Sequence, residues 1–278
     1  MKQYKKFFKG ILLLATPMVA SSILATSPSQ AATLAFSKGA LNFTRFSQSP
    51  TATSTDVDTE SLVIGIGSGM ATAFADAEAT FIVSPPTASN SSLSLALGKG
   101  RDYLALGNSQ ATVIGNFDVD ANTNFSFDFL GNLTLATSID NPPAENARAF
   151  GDIFFALFDT NNNSILDFFS VAGNLTTEGD DDFIAAQKSD NVTFINRGSN
   201  FNFGGKQEFI AASFGGSLQR YFPNQTNLTL IEVKRNRATV KAPEPSTSLA
   251  LILCGGVVSV VWKRRRKPTA VLSFVRNS

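Results

Sequence analysis

The chain has 278 residues, with 23 Lys and Arg against 22 Asp and Glu, no histidine and one cysteine. The absence of histidine excludes Ser-His-Asp and Cys-His catalysis, and it excludes histidine-ligated zinc, copper or iron. One cysteine forms no internal disulfide and no thiolate cage for zinc or an iron–sulfur cluster.

The near-neutral net charge conceals an uneven distribution of charged side chains. Four of the basic residues lie in the first nine positions and six lie in the last sixteen. Between Ala32 and Lys241, 13 basic residues stand against 21 acidic ones, a formal charge of −8. Because affinity for nucleic acid depends on cationic contacts to phosphate, we expect no nucleic acid among the partners.

The N-terminus, residues 1–31, has the pattern of a secretory signal peptide. Basic residues precede a short apolar segment, and small residues follow it. This order predicts export and cleavage after Ala31, or alternatively after Ala32. An uncleaved membrane anchor is the other interpretation, but Pro17 and Pro28 interrupt the segment, and its strongly apolar part is shorter than the ~20 residues that a spanning helix needs.

Residues 32–241 are predicted to form one β domain. Apolar and polar residues alternate in Phe125-Ser126-Phe127-Asp128-Phe129, and similar alternation occurs at 93–97, 132–137 and 226–233. Signals rich in Pro, Gly and Asn separate these runs. The pattern predicts an all-β fold, a single antiparallel β-sandwich that is jelly-roll-like, flanked by the signal peptide and a C-terminal transmembrane helix.

Three further parts of the β domain are predicted from their local sequence. Residues 70–79 alternate alanine with bulkier or polar residues, and the period of two predicts a strand. Residues 48–59 are rich in Ser, Thr and Asp and are predicted to be a loop. Gly204-Gly205 and Gly215-Gly216 are both predicted to mark turns.

Phenylalanine accounts for 25 residues and is assigned to the core of the sandwich. A fold without disulfides depends on apolar burial, and each buried Phe contributes roughly 1.5–3 kcal/mol. Ring stacking on sugars would favour exposed Trp and Tyr. Between Ala32 and Lys241 there is no Trp, and the tyrosines are Tyr103 and Tyr221.

Two oxygen-rich segments are the candidate metal sites. The candidate ligands are Asp118, Asp120 and Asn122 in the first segment and Asp159, Asn161 and Asn163 in the second. Calcium takes about six to eight oxygen ligands, so both segments are candidate calcium sites. However, Ser164 and Ser170 occupy the glycine and bidentate-acid positions of an EF-hand loop, and Asp-Asn clusters commonly form hairpin turns. We therefore expect no cofactor, with calcium as the open alternative.

No residue pattern indicates catalysis, so the chain is predicted not to be an enzyme. Residues 65–69 are rich in glycine but lack the Lys-Ser/Thr ending and the following helix of a phosphate loop. Paired carboxylates could serve a glycoside hydrolase, although no spacing selects a pair. That hydrolase and a calcium-stabilised carbohydrate-binding sandwich are the two alternatives kept open.

The C-terminus, residues 242–278, is built in consecutive parts. Pro243-Glu244-Pro245 precedes an uncharged apolar segment at 247–262, whose sixteen residues approach the lower limit for a spanning helix. The basic cluster that follows is expected to stay in the cytoplasm. It consists of Lys263, Arg264, Arg265, Arg266 and Lys267. Residues 268–278 form a tail.

This order resembles the PEP-CTERM sorting signal of Gram-negative bacteria, which Pro243, Glu244 and Pro245 match. The resemblance implies recognition by an exosortase in the inner membrane, cleavage near the motif and transfer to the cell surface or extracellular matrix. The implied partners are signal peptidase, an exosortase-like transpeptidase and, transiently, the inner membrane. Surface polysaccharide is a further candidate. The tail at 268–278 departs from the family, which usually stops at the basic cluster, and an ordinary C-terminal anchor is the alternative.

These patterns together predict an exported protein of the cell surface or extracellular matrix. Its sandwich, at 32–241, is expected to act as a non-catalytic structural or adhesive module. The sorting signal is expected to occupy 242–267.

Overall fold

The structure is a computed structural model that describes residues 32–65, 69–140, 142 and 144–242, and it is all-β over them. The strands are β1 (Thr33–Thr44), β2 (Ala52–Gly65), β3 (Met70–Val83), β4 (Pro86–Lys99), β5 (Tyr103–Val119), β6 (Thr123–Ser138), β7 (Asn146–Asp159), β8 (Ser164–Thr176), β9 (Phe183–Lys188), β10 (Val192–Asn202), β11 (Gln207–Phe222) and β12 (Thr226–Lys241). The described residues contain no helix that could cross a membrane. The predicted signal peptide with Ala31, the motif at 243–245, the spanning segment, the basic cluster and the tail all lie outside the described residues.

The strands form two six-stranded sheets. The first sheet has the order β10-β11-β6-β1-β4-β3, and the second has the order β2-β5-β12-β7-β8-β9. Every pair of neighbouring strands is antiparallel. Buried side chains from both sheets form a large hydrophobic core and a smaller apolar cluster between the sheets, as in a β-sandwich. The all-β, antiparallel part of the fold prediction is therefore confirmed.

Phenylalanine rings fill this core, as the composition predicts. Phe155 is fully buried, and its ring centroid lies 5.6 Å from that of Phe43, 5.6 Å from that of Phe127 and 5.3 Å from that of Phe129. All three pairs meet edge to face, an arrangement that aromatic quadrupoles favour. The alternating rings at 125–129 in β6 all point inward.

The two sheets approach each other closely where β3 and β4 cover β5. A Cβ atom at Gly107 of β5 would lie only 2.6 Å from the backbone oxygen of Phe74 and 3.1 Å from that of Leu95. The alanines of β3 line this side of the interface. The predicted strand at 70–79 is confirmed, since it lies within β3. The small side chains here allow the two sheets to pack close together, whereas the rings around Phe155 keep the sheets further apart.

Two local predictions are wrong. The predicted loop at 48–59 is strand β2 from Ala52 onward, and it is an exposed edge strand paired with β5. Its Ser, Thr and Asp side chains face solvent, so polar composition there reflects exposure and not a loop. The predicted turn at Gly215-Gly216 lies inside β11, where a Cβ at Gly216 would come within 2.3 Å of the Thr193 backbone oxygen. That glycine permits close packing, whereas Gly204 and Gly205 do form a turn with positive φ.

Candidate functional site

The structure brings the two predicted calcium segments to the same end of the second sheet. One follows β5 and the other follows β7, and both of these strands flank β12. At the start of β12, Thr226 pairs with Val119 and Leu228 pairs with Asp159. The sequence alone does not predict that the two segments lie close together, because their proximity depends on β12 lying between β5 and β7.

In the second segment, the Asp159 carboxylate is occupied by its own turn. Oδ1 accepts hydrogen bonds from the backbone N–H groups of Asn161 (2.9 Å) and Asn162 (3.2 Å), and Oδ2 accepts one from Asn162 Nδ2 (2.7 Å). The bond from the Asn162 side chain holds the pKa of Asp159 below its usual range. Asn163 has φ of 49°, and Asn161 Oδ1 accepts a 3.4 Å bond from Asn227 Nδ2. This geometry is that of an Asx turn.

In the first segment, Asn122 takes the left-handed conformation with φ of 60°, and its Oδ1 accepts a 2.9 Å bond from the Tyr221 hydroxyl. Asp118 and Asp120 lie at the end of β5 and in the turn after it. Over the described part of the chain, no three Asp, Glu, His or Cys residues cluster closely enough to hold a metal ion. The calcium ligands therefore stay a prediction.

A surface cavity of about 400 Å³ lies between the edge strands of the two sheets, β9 and β10. Phe183, Phe201 and Phe203 line it and are partly exposed, and the last two rings stack with centroids 4.6 Å apart. The Arg197 guanidinium lies 5.6 Å from the ring centroid of Phe194 in the same cavity. The site combines aromatic faces with one cation.

A polar layer crosses the interior of the sandwich between β1, β4, β5 and β12. It separates the large core around Phe155 from a smaller apolar cluster that contains Ala35 and Val240. On β12 the inward-facing residues run from Leu230 through the polar layer to Ala238. The buried side chains of the layer are Ser37, Asn90, Ser92, Ser94, Ser109, Glu232, Lys234 and Asn236.

The centre of this layer is a cluster of Asn90, Glu232 and Lys234, which we call the amide cluster. Lys234 Nζ donates to Asn90 Oδ1 at 2.5 Å and to the Asn90 backbone oxygen at 2.8 Å. Asn90 Nδ2 donates to Glu232 Oε2 and, at 3.0 Å, to the backbone oxygen of Ala111. Glu232 Oε1 lies 3.5 Å from Lys234 Nζ and has no hydrogen-bond partner. A single carboxyl group thus contacts both the amine and the carboxamide.

Burial shifts both ionisable groups of the amide cluster toward their neutral forms. Glu232 and Lys234 have no solvent exposure. Desolvation and, to a smaller extent, the Asp152 carboxylate raise the pKa of Glu232, Lys234 lowers it, and the net result is a pKa of about 7. Desolvation lowers the pKa of Lys234 to about 8, against the opposing effect of Glu232. A neutral amine beside a protonated carboxyl group is therefore accessible near neutral pH.

The surrounding backbone makes room for the lysine. Gly39 of β1 lies against the aliphatic part of Lys234, and a Cβ atom there would be 2.9 Å from the lysine Cδ. Next along the layer, Asn236 Nδ2 donates to the Ser92 backbone oxygen at 3.1 Å. Ser94 Oγ in turn donates to the Asn236 backbone oxygen at 2.9 Å. Hydrogen bonds within the layer therefore hold β4 against β12, which fixes Asn90 opposite Lys234.

Sequence reasoning missed the amide cluster. Asn90 belongs to a run of Asn and Ser that resembles a polar strand face, and Lys234 and Glu232 resemble the exposed face of an amphipathic strand. The sequence contains one indication of the cluster. On one face of β12, charged and polar residues lie between apolar ones, which is the order Leu230, Glu232, Lys234, Asn236 and Ala238.

Comparisons with known proteins identify no relative. No protein-family model matches the sequence, and no curated protein and no solved structure matches it either. The resemblance to a sorting signal therefore rests on the residues at 243–267 alone.

Proposed function

We propose that this chain is an exported protein of the cell surface or extracellular matrix whose sandwich is a non-catalytic structural or adhesive module. The observation that carries the proposal is the arrangement of one all-β unit between two terminal segments with export and sorting patterns. A positively charged start favours export. A Pro-Glu-Pro motif before an apolar, basic-ended segment favours sorting by an exosortase-like transpeptidase.

The interior of the sandwich supports a structural role. Exported proteins are often stabilised by disulfides, and this chain has no second cysteine with which to form one internally. Stability must come from contacts between the sheets. The ring cluster around Phe155 and the polar layer around Lys234 both join one sheet to the other.

We further propose a jelly-roll-like arrangement for the sandwich. The long-range pairs β5–β12 and β6–β11 are nested in sequence and belong to opposite sheets, which favours a rolled ribbon of paired strands. Strands β7, β8 and β9 extend the second sheet as consecutive neighbours. The cavity between β9 and β10, with its exposed rings, is the candidate adhesive surface.

The sorting part of the proposal is tested by replacing Pro243, Glu244 and Pro245 with alanine in the full chain. We expect the variant to accumulate in the inner-membrane fraction, because the transpeptidase no longer recognises it while the apolar segment still anchors it. Cell fractionation and immunoblotting measure the distribution in a host that encodes an exosortase.

The matched control replaces Ser246, Thr247 and Ser248 with alanine, which alters three adjacent residues and leaves the motif intact. This control is expected to reach the surface fraction like the unmodified chain. Equal surface delivery of the Pro-Glu-Pro variant and its control would contradict the sorting proposal.

A further inference from the structure

The amide cluster has the composition of a reaction site as well as of a structural contact. It contains an amine, a carboxamide and a carboxyl group, all buried and all in mutual contact between the sheets. Lys234 belongs to the second sheet and Asn90 to the first, 144 positions apart in the chain. A bond between them would connect the two sheets covalently through the interior.

We propose that Lys234 and Asn90 become joined by an intramolecular amide (isopeptide) bond from Nζ to Cγ, with Glu232 as the general acid–base catalyst. The substrate is the protein itself, and no cofactor or oxidant is needed. The inference is independent of the proposed export and sorting, because it depends only on the described residues of the sandwich.

The reaction balances as an exchange of one amide for another. The lone pair of the neutral Lys234 amine attacks Asn90 Cγ, and a new Nζ–Cγ bond forms while the Cγ–Nδ2 bond breaks. Nδ2 leaves as ammonia after it takes a proton, and Nζ gives up one proton. Glu232 ends in the protonation state in which it began.

The contacts of Glu232 fit this proton transfer. Oε1, which has no hydrogen-bond partner, lies 3.5 Å from the attacking nitrogen Nζ. Oε2 contacts Nδ2, the nitrogen that leaves. One carboxyl group can therefore accept a proton from the nucleophile and deliver a proton to the leaving group.

The environment favours the reactive forms of the groups. Burial lowers the pKa of Lys234 and raises that of Glu232, so the amine is available as a nucleophile and the carboxyl group as an acid. Water is excluded, since Asn90 is 4% exposed and the other two residues are fully buried. Nζ is held 2.5 Å from Oδ1 of the carboxamide that it attacks, and such fixed proximity replaces a bimolecular encounter.

The test is tryptic peptide mapping by mass spectrometry of the full-length chain after purification. The bond is expected to join the peptide at 46–99, which contains Asn90, to the peptide at 221–235, which contains an uncleaved Lys234. The joined species is expected to be lighter than the sum of the two peptides by about 17 Da, the mass of ammonia. Separate peptides at 46–99 and 221–234 in the unmodified chain would overturn the proposal, whatever the variants do.

Three variants and one control distinguish the roles of these residues. Lys234→Arg is expected to abolish the joined species, and Lys241→Arg, which changes an exposed lysine on the same strand, is expected to leave it unchanged. Asn90→Asp is expected to form the same bond with loss of water. Glu232→Gln keeps the size of the side chain but transfers no proton, and we expect linkage to slow by about a hundredfold or more. Unchanged linkage in a folded Glu232→Gln protein would overturn the assigned role of Glu232.

Discussion

Replacing Phe155 with alanine is expected to lower the free energy of unfolding of the sandwich by about 3–5 kcal/mol. Phe155 has no solvent exposure, and its ring contacts Phe43, Phe127, Phe129 and Phe169. These rings come from both sheets, so the cavity cannot close by movement of one strand alone. Urea denaturation followed by circular dichroism measures the change.

The matched control for this substitution is Phe74→Ala. Phe74 lies on β3 and is 51% exposed, so its removal exposes little new surface and creates no internal cavity. We expect a change within about 0.5 kcal/mol. Similar losses for the two variants would show that the ring cluster does not hold the sheets together.

Replacing Lys234 with methionine is the second change with a large expected effect. Methionine retains the length of the aliphatic stem but removes the cation beside Glu232. Because Lys234 lowers the pKa of Glu232, its loss leaves a buried carboxyl group that must ionise without a cation or bind a proton at a cost in free energy. Breaking a buried pair in this way is expected to cost about 3–5 kcal/mol relative to the unlinked chain, and more relative to a chain in which Lys234 is joined to Asn90, measured by urea denaturation at pH 8.

An exposed pair on the same strand is the control for the lysine substitution. Lys241 Nζ lies 3.6 Å from Glu178 Oε2, and both side chains are at least half exposed. Lys241→Met is expected to cost no more than about 1 kcal/mol. If Lys234→Met costs as little as Lys241→Met, the amide cluster does not contribute to the stability of the sandwich.

The fold class could be predicted from the sequence because alternation reports strands directly. The rings at 125–129 show both the strand and its buried face, since Phe is rarely left exposed in a regular pattern. In strand β4, however, alternation does not identify the buried face. Its leucines at 93, 95 and 97 are only half-buried, whereas Ser92, Ser94 and Ala96 face the interior. Alternation alone does not tell which face is buried when the sheets are close and the interior is polar.

The candidate site could not be predicted, because its residues meet only through the sheet topology. Lys234 and Asn90 lie opposite each other because β12 is central in the second sheet and β4 is next to β1 in the first. Local sequence contains no information on that stacking. The predicted calcium segments, by contrast, are local turns, and the sequence already indicated a turn at each of them.

We propose that the mature protein is this sandwich, delivered outside the cell and freed of its terminal segments. The most direct test is mass-spectrometric mapping of both ends of the protein recovered from the surface or matrix fraction of cells that produce it. We expect an N-terminus at Ala32, or at Thr33 after the alternative cleavage, and a C-terminus near Pro243, Glu244 and Pro245. Recovery only from the cytoplasm, with the peptides of 1–31 and 263–278 still attached, would contradict it.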